Sequence, residues 1–573
     1  MAVSRLGYEP ARPSAFSRTA NLERLKNERF DLLVIGGGIT GAGVALDAAS
    51  RGLTTALVEK ADFASGTSSK SSKLVHGGLR YLQQREFALV YENLAERQRL
   101  LDNAPHLVAT LPFLIPLFGR AGVVSKTVAR SYSTALWLYD LTGGIRIGRR
   151  HRRVSRAEAV AHLPLLDTDR LVAGFLYFDA RADDARLTLA LLRSAVCGFG
   201  AAAANYSAAV GLIRDDGGLV RGAVVRDLAG MGEDFEVRAG AVVNATGVWT
   251  DEVRALDQPE PTGSLRPAKG VHVTVPRSRF PTDIAAVIPV RKDRRSIFVV
   301  PWPEADLVYL GTTDTDYEGD LDDPRCGPED VDYLLAAANA VSSAGLTRDD
   351  VTGVWAGLRP LLAPGEGRHL SERTADLSRR HKVWRDDDGL VTVTGGKLTT
   401  YRKMAEDTVN LVLGGRGRPR RPSVTKHLAL EGSPTLGPGP KRPDGLPLVP
   451  PHLEHRYGTM AASVAAVAAD DPGLLEPVIA GLPYTGAELA YAAREEMAVH
   501  LDDVLARRTR AAIQDARATL AATEQAARIV GAELGWGEAR RADEVRRFRR
   551  MLEADLESAG LGDRAGTGSD ELR

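Results

Sequence analysis

Residues 30–43 read FDLLVIGGGITGAG, a short apolar run followed at once by three glycines. Leu32 to Ile35 is long enough for one fully buried strand, and the small residues from Val44 to Ser50 suit a helix. Gly36, Gly38 and Gly41 fit the G-x-G-x-x-G dinucleotide pattern, and Gly37 lies between the first two. Such glycines permit a tight turn, a close pyrophosphate and close helix packing, and the helix N-terminus offers about half a positive charge to phosphates.

The context of these glycines strengthens the prediction. A second strand, Thr54 to Val58, ends in Glu59, which lies 59 − 36 = 23 residues past Gly36. Dinucleotide folds place there the carboxylate that binds the ribose hydroxyls, and an acid favours NAD or FAD over NADP. An ordinary glycine-rich turn with a chance Glu is the alternative, but strand, helix, second strand and acid together favour a dinucleotide site.

Composition bounds the class of protein. The 573 residues allow two or three domains, and 74 basic against 74 acidic residues give no reason to expect nucleic acid as a partner. Two cysteines, Cys197 and Cys326, exclude a disulfide framework and Fe–S ligation, and no metal site is expected. Residues 1–29 lack the apolar core of a secretory signal, and no apolar run approaches ~18 residues, so we expect no spanning helix.

A hydroxyl-rich segment leads into a distinctive motif. Residues 65–73 carry six Ser or Thr side chains, suited to lining a flavin, and residues 71–82 read SSKLVHGGLRYL. This motif closely resembles the signature of the FAD-dependent (aerobic, quinone-linked) glycerol-3-phosphate dehydrogenase family. Further blocks resemble that family in its order: DDARL at 183–187, GTTD at 311–314, VWAGLRPL at 354–361 and GGKLTTYR at 395–402. Departures are local, such as Val248 where the family often has Pro.

The resemblance implies a fold class of α/β plus α. We expect an FAD-binding Rossmann-like domain of the glutathione-reductase and amino-acid-oxidase type, with an inserted antiparallel-sheet substrate domain and a C-terminal helical domain. The expected boundaries are an N-terminal arm at 1–29, an FAD-binding domain at 30–85, 184–255 and 352–413, a cap at 86–183 and 256–351, a Pro-rich linker at 414–451, helices at 452–560 and a disordered tail at 561–573.

FAD is the expected cofactor, for two further reasons in the sequence. A buried strand closes on Asn244-Ala245-Thr246-Gly247, where two-dinucleotide-binding flavoproteins bring a second backbone turn to the adenosine end of FAD. The Gly395-Gly396 turn is expected near the flavin ring. A chance strand and turn at 244–247 is the alternative, and a plain NAD dehydrogenase has less use for these turns. The expected cofactor-binding residues, beyond the four glycines and Glu59, are Thr67, Ser68, Ser71, Ser72, Lys73, Leu74, Ala245, Thr246, Gly247, Gly396, Lys397, Leu398 and Thr399.

Oxidation of a secondary alcohol needs a base for the hydroxyl proton. A histidine has a reference pKa of ~6.5, and His76 is the first choice because Gly77 and Gly78 allow close approach. A turn histidine bonded to backbone is the alternative. Arg359 would stabilise the alkoxide, although which of the two accepts the proton stays open. A phosphorylated substrate needs cations, and the expected substrate-binding residues are Arg80, Tyr81, Arg373, Lys397 and Tyr401.

Residues 107–153 combine an apolar segment at 107–118, the aromatic residues Tyr132, Trp137 and Tyr139, and an arginine-rich stretch at 146–153. Apolar and aromatic residues beside arginines suit an interfacial membrane contact, but a core segment plus a solvated basic loop is equally open. The family resemblance implies a homodimer in the cytoplasm, peripherally bound to the inner face of the plasma membrane.

The resemblance also implies the reaction: oxidation of sn-glycerol 3-phosphate to dihydroxyacetone phosphate, with electrons passed to membrane quinone. An oxidase that uses O2 and makes H2O2 is one alternative, and a non-catalytic flavin-binding protein at the membrane surface is another.

The C-terminal part has a helical pattern. Thr485 and Glu488 form a capping box, and apolar spacing predicts helices at 489–506 and 512–530. The block DDVLARRT at 502–509 also resembles the family; its alternating charges predict a solvated or packing surface without chemistry.

Overall fold

The computed structural model describes residues 15–79, 81, 86–119, 126–230, 232–256, 264–290, 295–363, 380–414, 421–436 and 449–562. Arg80 and Arg373, both expected to bind substrate, lie outside the described residues. So do residues 1–14 of the expected N-terminal arm, parts of the expected Pro-rich linker, and residues 563–573 of the expected tail.

Helices of the described ranges are numbered α1 to α15 in chain order. They are α1 Arg18–Asn27, α2 Ile39–Ser50, α3 Phe87–Asn103, α4 Lys126–Leu141, α5 Arg156–His162, α6 Asp184–Arg193, α7 Thr250–Ala255, α8 Pro328–Asn339, α9 Tyr401–Gly414, α10 Pro451–Tyr457, α11 Ala461–Ala466, α12 Gly486–Glu495, α13 Ala511–Gln514, α14 Ala516–Leu534 and α15 Glu538–Ser558. None of these helices combines the length and the hydropathy that crossing a bilayer requires.

Strands of the same ranges are numbered β1 to β20. They are β1 Arg29–Phe30, β2 Leu32–Ile35, β3 Thr55–Val58, β4 Leu74–Val75, β5 Val108–Phe118, β6 Arg152–Ser155, β7 Leu171–Ala182, β8 Ala202–Ala204, β9 Ser207–Arg214, β10 Val220–Asp227, β11 Asp234–Ala239, β12 Val242–Asn244, β13 Ala268–Pro276, β14 Ala285–Pro289, β15 Ser296–Pro301, β16 Leu307–Gly311, β17 Thr315–Asp316, β18 Gly353–Arg359, β19 His381–Arg385 and β20 Val391–Gly395.

The first sheet carries the glycine motif. Its described strands run in the order β19-β20-β12-β2-β3-β8, and all neighbours pair in parallel except β19 with β20. The predicted strand Leu32–Ile35 is confirmed and buried at every position, as a parallel strand covered on both faces must be. Helix α2 follows it directly, and both pack in one apolar core with α6 and α9. A smaller sheet of order β1-β11-β10-β9 lies beside it.

The second large sheet is the cap. The path β17-β13-β16-β15-β14-β5-β7-β4 is joined by β18 on β13 and by β6 on β7. The inserted antiparallel sheet expected from the sequence is confirmed by the pairs β13–β16 and β15–β16. Because side chains alternate along a strand, the register places Arg359, His272 with Trp355, and Tyr309 in succession on one face.

The apolar segment at 107–118 belongs to this cap. Strand β5 pairs with β7 along its whole length, and Leu111, Phe113 and Leu114 lie in the largest apolar core. The apolar run is therefore a core strand, and Tyr139 is buried in the same core. Within residues 107–153, Trp137 and the arginine-rich stretch stay candidates for a membrane contact.

The C-terminal helices differ from their predicted bounds. The capping box of Thr485 and Glu488 begins α12, but this helix ends at Glu495 and not at Ala506. Met497 takes a positive φ of 54°, and the N–H groups of Val499 and His500 donate to the Asp503 carboxylate at 2.7 and 3.0 Å instead of continuing the helix. A side-chain cap thus competes with helical bonding, which apolar spacing does not reveal.

Candidate active site and nucleotide cleft

The glycine turn between β2 and α2 leaves no room for side chains. Gly36 has a φ of +112°, and a Cβ there would lie 2.7 Å from the Ala245 carbonyl oxygen. A Cβ on Gly41 would lie 1.9 Å from the Gly36 carbonyl oxygen. Helix α2 begins at Ile39, so its N-terminus lies at the turn, which is the arrangement that binds a pyrophosphate.

Glu59 stands at the end of β3 beside this turn. Its carboxylate accepts the Gly37 N–H at 2.6 Å and the Ala61 N–H at 2.9 Å. Burial raises the pKa of the Glu59 carboxyl, and the two backbone bonds and Lys60 oppose that rise. The carboxylate is therefore held in one orientation at the position that binds ribose hydroxyls in this fold.

A cleft runs from the glycine turn along the edge of the sheet. Its walls include the glycine turn, the hydroxyl segment, the turn after β12 and the turn after β20. Eleven of the expected cofactor-binding residues line it together: Gly36, Gly38, Glu59, Thr67, Ser68, Ala245, Thr246, Gly247, Gly396, Lys397 and Leu398. Residues more than 350 positions apart meet here because the carboxyl ends of parallel strands share one edge of the sheet.

Two hydroxyls of the cleft tie its walls together. The Ser68 hydroxyl accepts the Ile39 N–H at 2.8 Å, and the Thr67 hydroxyl donates to the Leu358 carbonyl at 2.6 Å. The first bond holds the hydroxyl segment against the start of α2, and the second holds it against the cap strand β18.

Four other expected cofactor residues have protein partners and do not line the cleft. The Ser71 hydroxyl donates to Asp184 at 2.7 Å, and the Ser72 hydroxyl lies 2.8 Å from His272 Nε2. Lys73 is buried, 3.3 Å from Asp184, and burial lowers the pKa of its amine to about 7. Leu74 lies in the core of the cap.

Three of the expected catalytic and substrate residues, His76, Tyr81 and Lys397, lie on two segments that meet at the cleft. The His76 N–H donates to the Thr399 hydroxyl at 3.3 Å. Lys397, which lines the cleft, places its Nζ 3.8 Å from the centre of the Tyr81 ring. The structure thus brings the 76–81 and 397–399 segments together.

Arg359 ends strand β18 and is half-buried. Its guanidinium donates to the Asp314 carboxylate at 3.0 Å and to the Thr312 hydroxyl at 3.1 Å. The GTTD block therefore orients Arg359, which explains why the two blocks lie close in space although 45 residues separate Arg359 from Asp314.

Tyr401 lies elsewhere. Its ring is buried in the core between α9 and α2, and a Cβ on Gly43 would meet it at 2.8 Å. The structure does not bring Tyr401 to the other expected substrate residues, because the first turn of α9 points this side chain into the nucleotide domain.

His272 is a candidate that the sequence interpretation passed over. Its ring stacks on Trp355 at 4.6 Å with an interplanar angle of 5°, on the same cap face as Arg359. Burial, with Lys73 and Arg359 nearby, lowers the pKa of His272 well below its usual range, so the imidazole is neutral and its basicity is reduced. Within the strand pattern KGVHV, alternation alone does not distinguish a functional histidine from a packed one.

Residues of the cleft fit FAD. The crowded glycines, the α2 N-terminus and the Glu59 carboxylate suit the adenosine diphosphate half, and the turn at 396–399 suits the ring. The fold and the cleft together therefore define a dinucleotide-binding flavoprotein.

Comparison with known proteins identifies the family of the chain more closely. A family model described as FAD dependent oxidoreductase matches residues 31–402, and one described as the C-terminal domain of alpha-glycerophosphate oxidase matches residues 423–541. Glycerol-3-phosphate dehydrogenase 2 of Mycobacterium tuberculosis is 42% identical over 97% of this chain and 94% of its own. The human mitochondrial glycerol-3-phosphate dehydrogenase is 37% identical over 95% of this chain and 76% of its own.

A solved structure agrees. The glycerol-3-phosphate dehydrogenase of Bacillus halodurans, complexed with FAD, superposes with a TM-score of 0.74 at 33% identity and covers 97% of this chain and all of its own. The chain belongs to the FAD-dependent oxidoreductases and, within them, to the glycerol-3-phosphate dehydrogenase family. FAD as the cofactor, the fold class and the oxidoreductase activity class predicted from the sequence are confirmed.

Proposed function

We propose that the protein oxidises sn-glycerol 3-phosphate at C2 to dihydroxyacetone phosphate, with FAD accepting the hydride at N5, and that the electrons pass to membrane quinone. The names of the relatives support the substrate. The observation that carries the proposal is the convergence of His76, Tyr81 and Lys397 beside the FAD cleft, with Arg359 held on the facing cap sheet.

The side chains divide the chemistry among them. His76 takes the proton of the substrate hydroxyl, and Arg359 stabilises the alkoxide that forms. His272 is the second candidate for the proton, because its neutral ring lies on the same cap face as Arg359. The phosphate is bound by Lys397 and by Arg80 and Arg373, with the Tyr81 hydroxyl as a further donor.

A substitution of Arg359 tests these assigned roles directly. Arg359→Lys retains the charge but loses the fork that Asp314 and Thr312 orient, so we expect kcat to fall and KM to change little. A rise in KM alone would assign Arg359 to phosphate binding.

The test of the reaction itself is the anaerobic visible spectrum: loss of the ~450 nm flavin band when glycerol 3-phosphate is added supports the proposal, and a persisting band contradicts it.

Molecular oxygen is the second candidate for the electron acceptor. The C-terminal family model carries the name of an alpha-glycerophosphate oxidase, which favours O2 as the alternative acceptor. Stoichiometric H2O2 in air with glycerol 3-phosphate would establish the oxidase, whereas slow H2O2 formation and fast turnover with a soluble quinone would support the dehydrogenase. A non-catalytic flavoprotein is excluded by any bleaching on substrate.

A membrane contact is proposed for the surface of α3 and α4. Phe87, Tyr91 and Trp137 are exposed there, and Leu141 at the end of α4 is 75% exposed. The Arg146 guanidinium lies 4.8 Å from the Tyr91 ring and leads into the arginine-rich stretch. Exposed apolar side chains beside arginines suit an anionic lipid surface. Co-sedimentation with anionic vesicles, abolished by Trp137→Asp with Leu141→Asp, is the expected result; unchanged sedimentation contradicts it.

We further propose a cytoplasmic homodimer bound peripherally at the inner face of the plasma membrane. Light scattering on the purified holoenzyme gives the mass: about twice 61.5 kDa supports the homodimer, and 61.5 kDa contradicts it.

A further inference from the structure

A second cavity, of about 770 Å³, lies where the cap sheet meets the C-terminal segment. Arg181 of β7 lines one side, Trp302 and Tyr309 of the β15–β16 hairpin line another, and Arg456 and Tyr484 of the C-terminal part close it. Of the residues expected to bind FAD or substrate, Lys73 alone lines this cavity in the described part of the chain. The volume is that of a small-molecule site.

Arg181 has no direct polar partner among the described residues, although Tyr309 and Glu304 act on its charge from a distance. Its guanidinium makes no hydrogen bond or ion pair with any described residue, and burial lowers its pKa. The two other arginines of the cavity are paired: Arg456 with Asp183 at 3.2 Å and Arg510 with Asp184. Arg181 is half-buried, and a partly desolvated cation without a partner gains from an anion, so its position at a cavity wall points to an anion that the cavity receives.

The remaining walls are largely apolar. Prolines and aromatic rings provide flat surfaces against which a hydrocarbon or aromatic body packs; these residues are Pro105, Pro301, Trp302, Pro303, Tyr309, Pro434 and Tyr484. Four wall residues also hold buried polar atoms that lack a hydrogen-bond partner in the described part of the chain: His106 Nδ1, the Trp302 indole Nε1, Arg510 Nε and the Gln514 side-chain oxygen. An apolar body with a few polar groups therefore matches the lining.

The acidic residues of the cavity wall limit how many negative charges a bound ligand can carry. Asp183 is neutralised by Arg456, and burial raises the pKa of Glu304, which lies 3.7 Å from the same arginine. Glu454 is exposed and stands at the mouth. With one guanidinium left over, the walls suit a ligand with a single acidic group.

We propose that this cavity binds a small organic anion whose acidic group pairs with Arg181 and whose apolar body lies on Trp302 and the surrounding prolines. Glycerol 3-phosphate does not match it, because that substrate has no apolar body. The bound anion would contact the cap sheet and the C-terminal helices at once and would lie beside Lys73, next to the segment that lines the FAD cleft.

The probe for this proposal is 8-anilinonaphthalene-1-sulfonate, an aromatic body with one acidic group, titrated by fluorescence into the FAD-saturated holoenzyme. We expect saturable binding that Arg181→Gln weakens at least tenfold and that Arg181→Lys largely preserves. Arg550→Gln, the same change at an exposed position of α15, is the matched control and should leave the affinity unchanged. Equal affinity of Arg181→Gln and the wild type would overturn the proposal.

Competition separates this cavity from the active site and defines the acidic group. Saturating glycerol 3-phosphate should not displace the probe; displacement would show that the probe occupies the substrate site and would overturn the proposal while leaving the proposed function intact. Phenyl phosphate or phenylacetate should displace it, and the better competitor identifies phosphate or carboxylate. Displacement by inorganic phosphate alone would contradict an apolar-bodied ligand.

The flavin spectrum and thermal midpoint of each variant serve as the folding controls. Should Arg181→Gln not fold, a crystal structure of the wild type with the probe decides: a sulfonate within hydrogen-bond distance of Arg181 supports the proposal, and probe density only elsewhere overturns it.

Discussion

The FAD cleft and the Arg181 cavity are built in opposite ways. The cleft consists mainly of turns at strand ends, where backbone N–H groups and missing side chains provide the binding surface around Gly36 and Gly41. The cavity consists of side chains from segments as distant as Arg181 and Gln514. Each wall of the first site is a turn that a local sequence motif marks, whereas the second site exists only when the cap and the C-terminal helices pack together. Sequence motifs therefore predict the FAD cleft but not the Arg181 cavity.

One segment, residues 62–73, connects the two sites, and C-terminal arginines hold it. Arg508 binds the Asp62 carboxylate with two hydrogen bonds of 2.6 and 2.9 Å, and Arg507 adds a third at 2.6 Å. Arg510 donates to the Ser69 carbonyl at 2.7 Å. The block at 502–509, to which the sequence assigned only a solvated or packing surface, thus packs charged side chains against the segment that carries Thr67 and Ser68.

The largest effect is expected from Gly41→Ala, which tests whether the cleft depends on backbone approach. The added Cβ would lie 1.9 Å from the Gly36 carbonyl, so the turn must open and the pyrophosphate site is lost. We expect protein without a flavin spectrum and with a strongly reduced yield. Gly414→Ala, where no atom lies within 4 Å of the new Cβ, is the control. Normal flavin content in Gly41→Ala would refute the backbone account.

Arg508→Met tests whether the C-terminal block supports the cleft from outside. It leaves the fully buried Asp62 with one arginine in place of two, and breaking a buried pair costs about 3–5 kcal/mol. We expect a lower denaturation midpoint and faster loss of FAD on dilution. Arg546→Met, which removes an exposed pair with Asp543, should change neither. A destabilised variant that keeps normal FAD retention would mean that the block supports the fold alone.

Glu59→Gln probes the carboxylate that lies beside the glycine turn. The amide keeps the shape but loses the carboxylate that accepts the Gly37 N–H, so charge-assisted bonds of about 1.5–3 kcal/mol weaken. We expect FAD affinity to fall roughly tenfold to a hundredfold, measured by flavin fluorescence during titration of the apoprotein. Glu28→Gln, at an exposed position just before β1, provides the comparison. Equal affinities would remove Glu59 from cofactor binding.

The smallest effect concerns the charge of Lys73 at the wall of the Arg181 cavity. Its pKa is lowered to about 7, so the amine is cationic below that pH and neutral above it. Anion binding should therefore weaken roughly threefold between pH 6 and pH 8, as loss of one screened interaction of ~0.6 kcal/mol implies. The pKa of His106 is lowered to about 4, so that ring stays neutral throughout.

Other titratable groups near Lys73 also contribute to the pH dependence of anion binding, and a control variant must separate their effect from that of Lys73. The carboxylate of Asp183 has a lowered pKa and stays ionised, whereas Glu304 has a raised pKa, and its ionisation repels the anion in the same direction as loss of the lysine charge. Lys73→Arg keeps a cation at every pH, so affinity of the sulfonate probe should become flat between pH 7 and pH 8. A wild-type profile in this variant would assign the effect to Glu304.

Prediction from sequence succeeded where the signal is local. The strand Leu32–Ile35, the glycine turn and the capping box at Thr485 are present as predicted, because each depends on residues within a few positions of one another. The antiparallel sheet of the cap, expected from the family resemblance, is likewise present.

Prediction from sequence failed where the structure depends on hydrogen bonds or packing contacts that a local pattern does not contain. The helix expected to Ala506 stops at Glu495 because Asp503 captures backbone N–H groups. Tyr401 packs on Gly43, and His272 joins Ser72 across 200 residues, as no local pattern could indicate.

The amino-acid sequence alone was enough for the family, the FAD cofactor and the residues that surround the pyrophosphate, since glycine, a following helix and an acid at the end of the next strand leave few other conformations. The three-dimensional packing decided which charges are neutralised. Asp62 has two arginines, and Arg181 has no partner among the described residues. Pairing of buried charges depends on which side chains meet across domain interfaces, and that is a property of the whole fold rather than of any segment of the chain.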